Sequence, residues 1–266
     1  MIWPRAAKTR SAWCLSLNPP KLEKEMAKKL DDRQKKIEEL KGYDTPSITN
    51  VVATYPLDKV NCLGLYHPWE GRWYTDERLR CIFPEHGRRA GHVATCVYGM
   101  PDPQFGRLGI GDVLRVIERT PKPVILAVKQ NLPEHIKCRN GLIGGNMMTA
   151  FKSAGVVGVI SDGPSRAVDE IRPLGLQYML TGVTAGHGYF QLQSVNSPVD
   201  ICGMTVSPGD IVHMDENGAA KFPAECLDEV LVRVKRLQQI ELKRQRLMRG
   251  TADVEELAKI MSGVYD

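Results

Sequence analysis

Residues 144–172 read GGNMMTAFKSAGVVGVISDGPSRAVDEIR and carry the strongest structural signals in the chain. A glycine-rich turn precedes a predicted helix over 146–154, and the apolar run 156–160 predicts a strand. The DGPSR sequence that follows predicts the start of a second helix, over 165–174. A turn that leads from a strand into a helix binds anions readily, and an arginine there can hold a carboxylate with two hydrogen bonds. The stretch therefore predicts an anion site that contains Arg166.

The alternation of strands and helices continues on both sides of this stretch. Further strands are predicted over 91–97, 124–128, 178–183, 211–214 and 219–222, and a further helix over 110–118. Asn217-Gly218 lies between the last two strands and is a typical hairpin turn. Strands that alternate with helices favour parallel pairing. The sequence therefore predicts an α/β fold.

Composition narrows the class of protein. The chain has 266 residues with 42% hydrophobic content, enough for a large core, and its seven scattered cysteines include no C-x-x-C pair. Reduced thiols in a cytoplasmic protein are expected from that pattern. The net charge of +5 is too diffuse to indicate nucleic-acid binding. No apolar run is long enough to predict a membrane span or a clear signal peptide.

The chain divides into three predicted parts. Residues 1–43 form a tail and a charged helix, which is too polar for a core and is expected to pack on a neighbouring surface, including that of another subunit. Residues 44–223 form the main domain, in which Asp44 caps a helix that starts near Ser47. Residues 224–266 form a helical extension. Inside the main domain, residues 54–90 are irregular, and an ordered loop of that length is often functional.

Several motifs in fixed order resemble the RraA-like family over residues 47–222. They are GGN at 144–146, GVVGVISDGPSR at 155–166, GMTVSPGDIV at 203–212 and DENG at 215–218. That family includes 4-hydroxy-4-methyl-2-oxoglutarate aldolases, oxaloacetate decarboxylases and a regulator of ribonuclease activity. The resemblance implies an α/β/β/α sandwich of the swivelling β/β/α type, here with N- and C-terminal helical extensions. It also implies a homotrimer or homohexamer with the site between subunits.

The resemblance assigns roles to residues of the opening stretch. Arg166 falls on the arginine that holds the carboxylate of a pyruvate moiety, and the backbone amides of Gly144, Gly145, Asn146 and Met147 fall on the segment that cradles the substrate. In the family aldolases an aspartate after that arginine anchors a divalent metal, Mg²⁺ or Mn²⁺, which polarises the keto oxygen. Here that position is Ala167.

Both acidic positions of the family pattern are therefore missing. The other one, twenty-one residues before Arg166, is Gly145. Glycine and alanine side chains cannot ligate a hard cation, and loss of a Lewis acid costs several kcal/mol of transition-state stabilisation. Metal binding would thus need ligands outside the family motif. Natural divergence explains both changes more simply than one engineered substitution does.

Five other residues are candidates for the missing chemistry. Asp169 is a weak metal candidate that would share a helical face with Arg166, with a surface ion pair as its alternative. Asp162 is a catalytic candidate whose alternative is a turn or capping role. His187 follows a strand and is placed at the rim of the site, with an exposed loop histidine as the alternative. His67 and His86 lie in the irregular loop and could supply acid–base groups.

We therefore expect a carbon–carbon lyase that acts on a small 2-oxo acid or related carboxylate by retro-aldol cleavage or decarboxylation. Two alternatives remain: a non-catalytic regulatory protein on the same scaffold, and an enzyme with metal-free chemistry. The expected partners are the small carboxylate and further copies of the chain, without nucleic acid or membrane.

Overall fold

A computed structural model of the chain describes residues 19–53 and 61–264. The tail predicted at the N-terminus and part of the irregular loop lie outside these ranges. Within them the fold is mixed α/β, as the sequence predicts. No helix of the described residues is long and apolar enough to cross a membrane.

The described residues form ten strands. They are Arg80–Cys81 (β1), Arg89–Gly99 (β2), Val124–Asn131 (β3), Val156–Ser161 (β4), Gln177–Leu180 (β5), Gln191–Val195 (β6), Val199–Ile201 (β7), Met204–Val206 (β8), Ile211–Asp215 (β9) and Gly218–Phe222 (β10).

The same residues form eight α-helices. They are Pro19–Leu40 (α1), Thr45–Val52 (α2), Ile110–Arg119 (α3), Glu134–Lys137 (α4), Gly145–Ser153 (α5), Val168–Ile171 (α6), Leu227–Arg249 (α7) and Val254–Met261 (α8).

The main sheet has eight strands in the order β1-β5-β4-β3-β2-β9-β10, and β6 also pairs with β2. Strands β2, β3, β4 and β5 are parallel neighbours, whereas the other pairs in this sheet are antiparallel. One edge of β2 is shared, because its first half pairs with β9 and its last residues pair with β6. The hairpin predicted around Asn217-Gly218 is confirmed as β9–β10.

Strand β3 shows how the sequence produces the layers. Val124, Leu126 and Val128 point to one face and pack in the cluster that contains Phe151 and other residues of the flanking helices. Ile125 and the next alternate residue point to the opposite face, where they pack against the β7–β8 hairpin. Alternation along a strand places successive side chains on opposite faces. Because both faces are covered, the strand is apolar from Val124 to Val128.

A third hydrophobic cluster joins both ends of the chain to the sheet. Ile37 at the end of α1, Ile48 of α2 and Val230 of α7 are fully buried, together with Phe222 of β10. The charged helix α1 therefore contributes its last turn to the core and packs on α7 of the same chain. The expectation that this helix is too polar for a core is wrong for that turn, where Ile37 and Leu40 are fully buried beside two glutamates.

The helix predicted over 165–174 is shorter in the structure than predicted. Only Val168–Ile171 is α-helical, followed by a short 3₁₀ turn over Arg172–Leu174. Ala167 has a left-handed backbone with φ of 57°. The residues between β4 and α6 are thus an irregular connection at the carboxyl end of the parallel strands, where ligands bind in open α/β sheets.

Candidate anion-binding site

The connection after β4 is held by Ser165. Its backbone N–H donates to Gly182 O at 3.1 Å, and Thr184 N donates to Ser165 O at 2.9 Å. The buried Ser165 hydroxyl also bonds Ile143 O and the hydroxyl of Tyr178. These contacts give Ser165 a strand-like partner instead of a helical one, which explains why the helix starts three residues later than predicted.

Arg166 is thereby directed at the amino end of α5. Its backbone N–H donates to Ile143 O at 3.3 Å, and its Nε lies 3.4 Å from the point where a Cβ on Gly144 would stand. Gly144 is the N-cap residue of α5, with no side chain to cap the helix. The first N–H groups of the helix and the guanidinium thus face a common space, and both attract anions.

The Arg166 guanidinium has no ion-pair or hydrogen-bond partner among residues 19–53 and 61–264, and its Nε is buried without a partner. The ion pair with Asp169, the structural alternative for this arginine, does not form. A buried donor that lacks a partner costs about 1–3 kcal/mol. An unpaired arginine at a helix N-terminus is therefore suited to receive a carboxylate.

These groups line one cavity of about 280 Å³, which we call the Arg166 pocket. Its lining comprises Leu142, Gly144, Gly145, Asn146, Met147, Arg166, Ala167, Glu170, His187 and Phe190. The structure thus brings together the six residues 144–147, 166 and 187 that the sequence proposed for the site. His187 is exposed, and its Nδ1 bonds Gly188 O at 2.9 Å. Their roles stay predictions.

Glu170 was missed by the sequence reasoning. A side chain on Gly145 would collide with the Glu170 carboxylate, and its Cβ would also lie 2.9 Å from the Glu170 Cβ. The Glu170 carboxylate therefore occupies the space that an acidic residue at position 145 would need. A helix assumed to start at 165 places Asp169 beside Arg166, whereas the left-handed Ala167 delays the helix and turns Glu170 toward the pocket instead.

The metal expected from the resemblance does not fit the residues of this pocket. Ala167 and Gly145 offer no side-chain donor, and Asp169 is exposed and outside the lining. In the part of the chain that the structure describes, no group of three or more His, Cys, Asp or Glu side chains is placed to hold a metal ion. Side chains and backbone amides are therefore the groups of this pocket that can act on a ligand.

Asp162 lies in a different cavity, of about 410 Å³. Its carboxylate is 6% exposed and accepts from Lys129 Nζ at 2.6 Å and from Gln130 N at 2.7 Å. Lys137 Nζ is 3.5 Å away. Asp162 thus forms ion pairs with Lys129 and Lys137 and ties β3 to the end of β4. This placement does not support a role beside Arg166.

The remaining histidine candidates also lie apart from the Arg166 pocket. His67 is exposed, and its Nδ1 accepts from Trp69 N at 3.3 Å and Glu70 N at 3.2 Å. His86 Nδ1 is bonded to Leu176 O at 2.7 Å. Neither residue lines the pocket, so the irregular loop brings neither histidine to this site.

Comparison with known proteins covers the same region. The model of the Aldolase/RraA family, RraA-like, matches residues 66–220. An uncharacterized protein of Methanocaldococcus jannaschii is 33% identical over 116 residues, which are 43% of this chain and 56% of that protein. A second relative is a Halalkalibacterium halodurans protein with the provisional name 4-hydroxy-4-methyl-2-oxoglutarate aldolase. It is 24% identical over 110 residues, which are 41% of this chain and 52% of that protein. The chain thus spans about half the length of these two relatives.

Solved structures agree on the fold. An uncharacterized protein from Pseudomonas syringae pv. tomato superposes with a TM-score of 0.63 at 20% identity, covering 85% of this chain and 93% of its own. Streptomyces coelicolor RraAS2, described as an unusual member of the RNase ES inhibitor RraA family, gives 0.60 at 19% identity and covers 79% and 96%. The family match extends over more than half of the sequence and includes Arg166 and the Gly144 turn. This chain belongs to the Aldolase/RraA family.

Proposed function

We propose that the chain binds a small 2-oxo acid or related carboxylate in the Arg166 pocket and cleaves a carbon–carbon bond in it, by retro-aldol reaction or decarboxylation. The observation that carries the proposal is the unpaired Arg166 guanidinium beside the amino end of α5. The name of the H. halodurans relative supports the choice of reaction class. The chain acts as a homotrimer or homohexamer in the cytoplasm, as in the family pattern.

The geometry supports a division of labour. The ligand carboxylate pairs with Arg166, which places the neighbouring keto oxygen toward the amides of residues 145–147. As the carbon–carbon bond breaks, its electron pair moves toward that oxygen, and the amides stabilise the resulting enolate. In a retro-aldol step a base first removes the proton of the ligand hydroxyl, and in both reactions a proton finally returns to carbon. Glu170 and His187 are the pocket groups able to carry these protons.

An assay of pyruvate release tests this function. Oxaloacetate and 4-hydroxy-2-oxo acids are incubated with the full chain in EDTA, in Mg²⁺ and in Mn²⁺, and pyruvate is measured with a coupled dehydrogenase. We expect release that persists in EDTA and is lost in Glu170→Gln, or in His187→Gln if that residue carries the proton. Absence of pyruvate under all three conditions, with an active family aldolase as control, would contradict the lyase function.

A non-catalytic regulator is the second candidate, and the side chains at 145 and 167 favour it. Both positions lack the acidic groups of the family aldolases, so the pocket would bind a carboxylate without turning it over. This candidate predicts carboxylate binding without pyruvate release, and co-purification of a protein partner with the full chain. Substrate turnover with no stable partner would contradict it.

A further inference from the structure

An apolar groove opens directly beside the Arg166 pocket. It encloses about 540 Å³ between α3, α5 and β6. Its apolar lining includes Tyr98, Leu108, Leu114, Ala150 and Leu192. The lining contains no charged side chain, and its polar groups are limited to the Tyr98 hydroxyl and two amides. A groove of this composition accepts a hydrocarbon chain and offers no partner to a charge.

The groove and the Arg166 pocket adjoin each other. Asn146, Met147 and Phe190 line both spaces. The Phe190 ring lies 5.5 Å from the His187 ring on the pocket side and 5.7 Å from the Tyr98 ring on the groove side. The first turn of α5 and this row of rings therefore form a shared wall. The two spaces therefore meet at that wall.

The charges define which molecule fits. The Arg166 pocket holds one unpaired cation, which one ligand carboxylate satisfies. For a second ligand carboxylate, neither lining offers a further lysine or arginine: the pocket also carries the Glu170 carboxylate, which repels a like charge, and the groove is uncharged. Apolar carbon in the groove instead leaves water, which is favourable by roughly 0.8 kcal/mol per buried CH₂.

We propose that the ligand of this site is a monocarboxylic 2-oxo acid with an extended apolar chain, and that the groove binds this chain. The inference rests on the proposed carboxylate binding at Arg166 and narrows the proposed reaction to retro-aldol cleavage, because decarboxylation through an enolate needs a second carboxylate beta to the keto group. The carboxylate bonds the guanidinium, the keto group faces the amides at the start of α5, and the hydrocarbon chain passes Met147 and Phe190. Short dicarboxylates such as oxaloacetate bind more weakly than long monocarboxylates.

Binding of a homologous series tests this inference without requiring turnover. Isothermal titration of the full chain uses pyruvate, 2-oxopentanoate, 2-oxohexanoate and 2-oxooctanoate, with oxaloacetate and 2-oxoglutarate as dicarboxylates. We expect affinity to rise about threefold to fourfold per added CH₂. The dicarboxylates are expected to bind no better than pyruvate.

Two matched variants locate the chain. Ala150→Leu fills the groove and is expected to abolish the dependence of affinity on chain length, so that the longer acids bind no better than pyruvate. Ser153→Leu adds the same side chain to an exposed position of α5 outside the groove and is expected to behave as wild type.

Each contrary outcome has a separate meaning. Equal affinity across the series, or tighter binding of oxaloacetate than of 2-oxooctanoate, overturns the apolar-chain inference and leaves carboxylate binding at Arg166 intact. If affinity in the wild type is independent of chain length and Ala150→Leu changes the oligomeric state, the groove is a contact between subunits, which also overturns the inference. If no acid of the series binds, the proposed function fails as well.

Discussion

At the scale of single residues, Gly145 is required by Glu170 rather than by its own backbone, since its φ is helical. Ala at 145 must displace the Glu170 side chain and press on its Cβ. We expect Gly145→Ala to lower the free energy of unfolding by about 1–2 kcal/mol. In a Glu170→Ala background the same substitution should cost less, because most of the colliding atoms are gone. Chemical denaturation of the wild type, the two single variants and the double variant measures this coupling.

Gly144→Ala is the matched control for that cycle. The nearest atom to a Cβ at 144 is Arg166 Nε at 3.4 Å, an ordinary contact, so a change within about 0.5 kcal/mol is expected. The carboxylate does not occupy this space if Gly144→Ala and Gly145→Ala lower the free energy of unfolding equally, or if the effect of Gly145→Ala is the same with and without Glu170→Ala.

Ala167 has a left-handed backbone conformation, which glycine adopts more readily than alanine. Its φ of 57° is left-handed, which costs an L-residue with a Cβ roughly 1–2 kcal/mol. We expect Ala167→Gly to raise the free energy of unfolding by about 0.5–1 kcal/mol, since glycine adopts this backbone without strain but gains entropy in the unfolded chain. Ala150→Gly, within α5, should instead lower it by about 1 kcal/mol. Loss of stability in both variants would contradict the left-handed assignment.

At the scale of elements, the strands were predictable and the connection after β4 was not. Strands β3 and β4 and the Asn217-Gly218 hairpin are specified by residues that are close together in the sequence, so local patterns predict them. The start of α6 depends instead on Ser165, whose bonds reach Ile143, Gly182 and Tyr178. A local sequence pattern cannot predict hydrogen bonds to residues this far apart in the chain. The sequence therefore indicated Arg166 and the Gly144 turn correctly as neighbours, but selected Asp169 where the folded chain presents Glu170.

The junction of α1, α2 and β9 gives the fold a sensitivity to acid. His213 of β9 is fully buried, its Nδ1 lies 2.9 Å from Thr45 Oγ1, and its Nε2 lies 3.2 Å from Leu40 O. Because a carbonyl oxygen only accepts, Nε2 carries the proton and Nδ1 accepts from the threonine. Burial lowers the pKa of His213 to about 4, outweighing the nearby Asp215 carboxylate.

The direction of the pH effect follows from that lowered pKa. Between about pH 6.5 and pH 4 the unfolded chain binds a proton at this histidine that the folded chain does not, so stability falls as the pH drops through this window. The contribution is up to about 3 kcal/mol. We expect His213→Gln to be less stable at pH 7 but to lose less stability between pH 7 and pH 4.5, measured by urea denaturation. Parallel pH profiles for the two proteins would contradict a neutral buried His213.

At the scale of the whole molecule, helices from the two ends of the chain pack on the sheet in one hydrophobic cluster. Helices α1 and α7 bury apolar residues with Phe222 of the sheet, while the connection after β4 positions Arg166. Local periodicity predicted the helices at both ends. Their joint burial was not predictable, since it depends on a contact between segments about 190 residues apart, such as Arg33 with Ala224 O at 2.7 Å.

The most direct test of the account is the binding of pyruvate to the full chain by isothermal titration, in wild type, Arg166→Ala and Arg139→Ala. Arg139 is exposed and does not line the pocket, so its loss changes the net charge equally without touching the site. We predict that wild type and Arg139→Ala bind alike, and that Arg166→Ala loses about tenfold or more in affinity, as expected for a hydrogen bond between charged groups. Unchanged binding in Arg166→Ala, or no binding in wild type, would contradict the assignment of this pocket as a carboxylate site.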